Sequence, residues 1–200
     1  MSRSASKKGE SRIELPPGQD FWVFGYGSLM WNPGFPHLEV QVGLLRGYHR
    51  SFCIFSHVYR GTPDRPGLVL GLDRGGSCRG LAYRVPAAEG ELVLDYLYKR
   101  EMVTLVYKAR WLKVELPTGP VRACGFVVDP KHEQYAGRLS QEEMIELIIQ
   151  GEGATGPCRN YLANTVRHLE ALGIGADPLI RLLRMVEARC GGTRGSAAAP

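Results

Sequence analysis

Phe21-Trp22-Val23-Phe24-Gly25-Tyr26-Gly27-Ser28-Leu29-Met30 carries an apolar strand straight into a glycine-flanked turn. Four large apolar residues in a row suit a short buried strand, and Gly25 ends it. Gly25 and Gly27 let the backbone turn sharply around Tyr26, leaving its N–H groups uncovered by side chains. Successive exposed amides form a concavity for a carboxylate or an oxyanion. A plain strand-ending turn fits the same residues. Two familiar motifs are excluded. G-x-G-x-x-G needs glycine where Met30 stands, and the nucleophile elbow G-x-S-x-G needs it at Tyr26 and Met30.

Outward from this strand, further strand-like segments follow at Val40–Arg46, Ser51–Ser56, Leu68–Leu72, Gly80–Val85, Tyr107–Glu115 and Val121–Val128, separated by Gly, Pro or Asp turns. Helical signals come later. Pro86 opens a helix through Tyr98, with Leu94, Leu97 and Glu101 on one face. Ser140 and Glu143 have capping-box spacing ahead of Met144–Ile149. Pro157 starts a stretch through Leu172 that Gly173 stops, and Asp177-Pro178 caps a last helix through Arg189. Strands early and helices late predict an α+β fold, a largely antiparallel sheet that can close into a barrel.

Two hundred residues hold one ordinary domain with a self-sufficient core. Residues 1–19 and 191–200 are polar or small and read as disordered tails, leaving 20–190 as a single ordered domain. The net charge of +5 belongs to the ends: residues 1–12 carry +3 and 189–200 carry +2, while 13–188 hold 19 basic and 19 acidic residues. A neutral core without basic runs excludes a nucleic-acid groove. The longest uncharged run, Phe21–Leu38, contains Asn32, Pro33, Pro36 and His37 and is no membrane span.

Cys53, Cys78, Cys124, Cys158 and Cys190 form no C-x-x-C pair and read as buried free thiols. No apolar stretch of a signal peptide follows the basic start, so a reducing cytoplasm is the simplest compartment. His37, His49, His57, His132 and His168 form no tight ligand pair, so no metal site is expected. His49 and His57 read as ordinary strand or loop residues, and Trp22, Trp31 and Trp111 as packing.

Tyr96-Leu97-Tyr98-Lys99-Arg100-Glu101 is the second segment that carries chemistry. Glu101 stands seven residues after Leu94, on the apolar stripe rather than the solvent face. Partial desolvation and the negative potential of a helix C-terminus both raise a carboxyl pKa there. A Glu so placed can shuttle protons near neutral pH. The competing reading is that Arg100 pairs it and it merely ends a helix.

Together these segments resemble the opening and middle of the ChaC-type γ-glutamylcyclotransferases. The similarity continues through Tyr59-Arg60-Gly61-Thr62-Pro63, Pro66-Gly67, Gly80–Val85, Arg100-Glu101, Gly156-Pro157 and Arg159-Asn160-Tyr161-Leu162, over about residues 20 to 187. It implies a small mixed, largely antiparallel β-barrel surrounded by α-helices, one substrate pocket, no cofactor, no metal and no obligatory protein partner. The implied reaction cleaves glutathione to 5-oxoproline and cysteinylglycine. Glu101 is then the catalytic acid/base, and Val23, Phe24, Gly25, Tyr26, Gly27, Ser28 and Leu29 form the substrate-binding loop. Family members often carry glycine after the Arg-Glu pair, where this chain has Met102-Val103-Thr104-Leu105. Leu105 is therefore expected to narrow that wall of the pocket.

The residues suit this chemistry. The α-amine of a γ-glutamyl compound can attack its own γ-carbonyl, and holding the folded conformer contributes ~7–11 kcal/mol. An α-amine of pKa roughly 8 is mostly protonated in a cell, so a carboxylate must take its proton and then pass one to the departing nitrogen. Arg60 reads either as the partner of the glycine carboxylate of glutathione or as a surface-turn residue. Tyr161 reads either as a hydroxyl in the pocket or as core. Two further readings stay open: turnover of other γ-glutamyl amino acids or amines, and a sensor that binds a γ-glutamyl ligand without cleaving it.

Overall fold

The computed structural model describes residues 12–175 and 177–192. Five strands close into a barrel in the order β1-β3-β2-β4-β5. They are β1 (Phe21–Gly25), β2 (Glu39–Ser56), β3 (Gly67–Val85), β4 (Tyr107–Leu116) and β5 (Gly119–Val128). Every pairing is antiparallel except the closing seam, where β1 runs parallel to β5 through Trp22–Ala123 and Val23–Cys124. Closure removes the exposed sheet edges that would otherwise invite aggregation.

The segments expected as four strands between residues 40 and 85 are two. β2 and β3 pair along their whole length, from Glu39–Arg84 to Ser56–Gly67. The turn-like residues inside them are irregularities in the ladder rather than chain reversals. Register slips between Arg46 and Tyr48, where Gly47 takes φ +83°, and again between Phe52 and Ile54. A bulge residue with positive φ bends a strand without ending it, which lets a long hairpin follow the barrel wall.

Alternation along β1 divides its side chains between two cores. Phe24 packs with Phe52, Leu68, Leu70 and Leu72, while Val23 packs with Leu81, Val85, Leu94 and Leu97. Successive strand side chains point to opposite faces, so one strand anchors both clusters.

Helix α1 (Gly90–Glu101) crosses between β3 and β4 and buries Val93, Leu94 and Leu97. It begins at Gly90 because a 3-10 turn, Ala87–Glu89, intervenes after Pro86. Helix α2 (Gln141–Gln150) is followed by the small ladder of β6 (Glu152–Gly153) and β7 (Gly156–Pro157), then α3 (Cys158–Ala171) and α4 (Asp177–Gly192). Gly173, at φ +64°, follows the end of α3 as the stop expected there. No helix among the described residues is long and apolar enough to cross a membrane.

The capping box of α2 is complete. Ser140 Oγ accepts from the Glu143 amide at 3.3 Å, and the Ser140 amide donates to Glu143 Oε2 at 2.8 Å. Ser140→Ala is expected to cost about 1 kcal/mol, read as a lowered denaturant midpoint with an unchanged slope.

Within residues 12–19, expected as part of the N-terminal tail, Arg12, Ile13 and Leu15 lie against α1 and the cluster beneath it. Arg12 pairs with Glu91 and Asp95, and the Ile13 amide donates to the Tyr98 hydroxyl at 3.0 Å. Leu15 and Ile13 also pack against the apolar cluster under α1, burial that composition alone does not reveal. The remaining tail residues, 1–11 and 193–200, lie outside the described residues. Cys53, Cys78, Cys124 and Cys158 are buried, whereas Cys190 is only partly so. Burial pushes the thiols of Cys53 and Cys124 up to about 12.

Candidate active site

The loop after β1 turns because Gly25 permits a close approach: a Cβ there would lie 3.0 Å from that of Leu29. One 3-10 turn follows over Ser28–Met30, its first bond running from the Met30 amide to the Gly27 carbonyl at 2.9 Å. Side chains from three elements hold the loop by its carbonyls. Arg50 Nε donates to Tyr26 O at 2.6 Å, and the Tyr83 hydroxyl donates to Leu29 O at 2.9 Å. Arg100 Nη1 donates to Asn32 O at 2.6 Å. With the carbonyls so engaged, the amides of Gly27, Ser28 and Leu29 precede the turn's first bond and have no acceptor within the turn itself.

Glu101 ends α1 one turn beyond the fully buried Leu97, as its spacing requires. Its side chain is 17% exposed and its Oε1 lies 3.2 Å from Arg100 Nε. Burial raises the carboxyl pKa above the ordinary Glu value, while the charge and hydrogen bond of Arg100 pull it back without cancelling the rise. Glu101 is therefore paired with Arg100 and still carries a raised pKa.

A cavity of about 440 Å³ opens beside it. Ser28 and Asn32 line it from the loop, Glu101 from α1, Arg60 from the β2–β3 loop, and Tyr161 and Asn164 from α3. Three phenols surround the carboxylate and respond to its charge: Tyr26, Tyr107 and Tyr161. Tyr107 donates to Leu70 O at 2.8 Å and receives a hydrogen bond from Tyr26. Burial first, and then the neighbouring negative charge, pushes the phenols of Tyr26 and Tyr107 well above their ordinary value. Tyr161 is raised as well, again by burial first. All three are hydroxyl donors at neutral pH.

Arg60 is held by packing between loops. Its guanidinium lies 5.3 Å from the centre of the Tyr161 ring and donates to Thr155 O at 2.5 Å. Among the described residues it forms no ion pair with an acid. The backbone that carries it crosses Gly67 so closely that a Cβ there would lie 2.0 Å from the Arg60 carbonyl oxygen.

The structure thus brings Glu101, Ser28, Arg60 and Tyr161 into one cavity. Gly27 sits against it, since a Cβ on Gly27 would meet the Tyr161 hydroxyl at 3.4 Å. Val23, Phe24 and Leu29 have their side chains in the core, because strand alternation and the 3-10 turn direct them inward. Only their backbones are left for a ligand. Gly25 and Tyr26 are buried beneath the loop.

Leu105 does not narrow the wall. Its side chain is 61% exposed, and Val103, Thr104 and Val106 line the cavity instead. Leu105 also holds φ +61°, a left-handed conformation that suits glycine. Leu105→Gly is expected to stabilise the fold by up to about 1 kcal/mol, since relief of the left-handed strain outweighs glycine's extra chain entropy. A thermal melt checks it.

Sequence reasoning passed over Tyr107 and Asn164, and it set Trp31 and His57 aside, although both line the cavity. Asn164 was findable, because it stands three residues after Tyr161 on the same helical face. Trp31 stacks on His168 at 4.8 Å, packing as expected while also facing the cavity. An aromatic opening a strand, as Tyr107 does, carries no local mark that separates site from core.

Comparison with known proteins adds independent findings. The sequence model of the ChaC-like protein family matches residues 21–189. The chain is 40% identical over 167 residues to the glutathione-specific gamma-glutamylcyclotransferase of Escherichia coli (strain K12), covering 83% of this chain and 72% of that protein. It is 32% identical over 160 residues to glutathione-specific gamma-glutamylcyclotransferase 1 of Homo sapiens, covering 78% and 72%. The crystal structure of a gamma-glutamyl cyclotransferase specific to glutathione from yeast superposes with TM-score 0.78 at 21% identity, over 85% of this chain and 96% of that one. That likeness is one of fold.

Proposed function

The chain belongs to the ChaC-like family, and from that membership we propose that it is a glutathione-specific γ-glutamylcyclotransferase. The supporting observation is a carboxylate of raised pKa, Glu101, that shares a cavity with a tethered glycine loop and with Arg60. Glutathione carries a γ-glutamyl amine and carbonyl that can close on each other and a glycine carboxylate at its far end. Arg60, without an acidic partner among the described residues, suits that carboxylate.

The reaction needs no water. The Glu101 carboxylate takes a proton from the substrate α-ammonium, and the freed amine attacks the γ-carbonyl carbon. A new C–N bond forms and the carbonyl oxygen becomes an oxyanion. The amides of Gly27–Leu29 and the Tyr161 hydroxyl are the donors at hand for substrate oxygens. As the oxyanion collapses, the bond to the cysteinyl nitrogen breaks and Glu101 returns its proton to that nitrogen. The restored carboxylate then takes the second proton from the ring nitrogen, leaving the neutral lactam, and passes it to the freed amine, which departs as an ammonium. The products are 5-oxoproline and cysteinylglycine. Orientation supplies much of the rate, because both reacting groups belong to one molecule.

Incubation of the purified protein with reduced glutathione, followed by mass spectrometry, is expected to yield both products in equal amounts. Intact glutathione after prolonged incubation would overturn the reading. Equal turnover of simple γ-glutamyl dipeptides would overturn its specificity for glutathione.

A further inference from the structure

Arg100 and Glu101 are consecutive on a helix, where neighbouring side chains diverge rather than meet. Here they do meet, with Arg100 Nε 3.2 Å from Glu101 Oε1. The rest of the guanidinium reaches the other side of the site. Nη2 donates to Ser28 Oγ at 2.9 Å, and Nη1 donates to Asn32 O at 2.6 Å and to the Tyr96 hydroxyl at 2.8 Å. Tyr96 stands one turn earlier on α1, so the helix itself fixes the plane of the fork. The Arg100 side chain is only 20% exposed. A single planar cation therefore grips the carboxylate and both ends of the Ser28–Asn32 turn.

We propose that Arg100 is a positioning residue, one whose guanidinium locks Glu101 to the Ser28–Asn32 turn so that base and loop form one rigid unit. The proposal rests on the reading of Glu101 as the proton shuttle. Its geometry calls for arginine specifically. A guanidinium offers five donors in a fixed plane, whereas a lysine ammonium is a point charge unable to span the carboxylate, Ser28 and Asn32 together. The same cation opposes the rise in the Glu101 pKa that burial causes. The other titratable or charged groups facing Glu101 are Tyr26 after β1, Tyr107 on β4, Tyr161 on α3, and His57 and Arg60 of the β2–β3 loop. The phenols are neutral, which leaves Arg100 as the cation in direct contact with the carboxylate.

The test measures kcat and KM for glutathione from pH 5 to 9 on wild type, Arg100→Met, Arg100→Lys and Ser28→Ala. Arg100→Met is expected to move the acidic limb of kcat/KM up by about one pH unit, as loss of an adjacent opposite charge does. It should also lower kcat by about 100-fold, the cost of a misplaced reacting group. Arg100→Lys should restore the limb and leave most of the kcat loss. Ser28→Ala, which removes the Ser28 contact and leaves those to Asn32 O and Glu101, should raise KM without moving the limb. An unmoved limb in Arg100→Met, or full recovery of kcat in Arg100→Lys, would overturn the proposal. Should Arg100→Met not fold, the double variant Ser28→Ala/Arg100→Lys decides: losses smaller than the product of the singles support the shared unit, and independent losses sink it. Glu101→Gln, run alongside, separates the two ideas, since wild-type turnover there would remove the proton shuttle whatever the Arg100 variants do.

Discussion

Glu101→Gln is expected to reduce glutathione turnover by ~10²- to 10⁴-fold, the usual worth of a positioned acid/base. Binding should survive. Gln has the same shape, and its amide oxygen can still accept from Arg100 Nε, so KM should change far less than kcat. The pH profile of the wild type supplies a second check. Burial raises the Glu101 pKa, and the mechanism needs the carboxylate, so kcat/KM should fall as pH drops through a value above the ordinary Glu range. Stability runs the opposite way. A carboxyl whose pKa is raised on folding contributes its full share below the unfolded pKa and loses it as pH rises through the folded one. Gln cannot ionise, so Glu101→Gln should melt no lower than wild type at neutral pH. A variant that is inactive and unfolded would not fit this expectation.

The second large effect is expected at Gly67, which contacts no substrate in the proposed mechanism. A Cβ there would lie 2.0 Å from the carbonyl oxygen of Arg60 and 2.8 Å from its carbonyl carbon, both backbone atoms that cannot swing aside. Gly67→Ala must therefore push the loop that carries Arg60, at a cost of about 3 kcal/mol, the upper end for overpacking. The consequence for catalysis follows from where Arg60 lies. Its stacking on Tyr161 and its bond to Thr155 both depend on this loop's path. Glutathione KM should rise at least tenfold in whatever fraction remains folded. Gly119→Ala serves as the comparison. Gly119, unlike Gly67, has positive φ, but nothing stands within 4 Å of its added Cβ and it lies at the β4–β5 turn. It should lose stability through its backbone alone and keep its KM.

Much of this fold was legible one element at a time. The apolar run at Phe21–Phe24, the capping box at Ser140 and the glycine stop at Gly173 are local signals, and each stands where its spacing placed it. The reading failed where a local signal served a nonlocal purpose. Gly47 and the Asp73–Gly76 segment look like turns, yet β2 and β3 run through them, because cross-strand pairing over the whole hairpin outweighs the local tendency to reverse. Residues 12–19 look like a polar tail, yet Arg12 and Leu15 find partners on and beneath α1 that composition cannot display.

For the site, the sequence by itself determined the chemistry available: a carboxylate one turn beyond an apolar stripe, a glycine loop leaving a buried strand, and an arginine beside the carboxylate. These depend on backbone periodicity within a few residues, which the chain carries locally. Only the tertiary structure decided which distant groups join them. Arg60, Tyr107 and Tyr161 come from separate elements and meet because the barrel closes and α3 packs beside the cavity. It also decided that the side chains of Val23 and Phe24 pack into the core, and that Arg100 turns toward Glu101 although helical geometry sends neighbours apart. Direction of a side chain, unlike its spacing, is set by the partners that surround it.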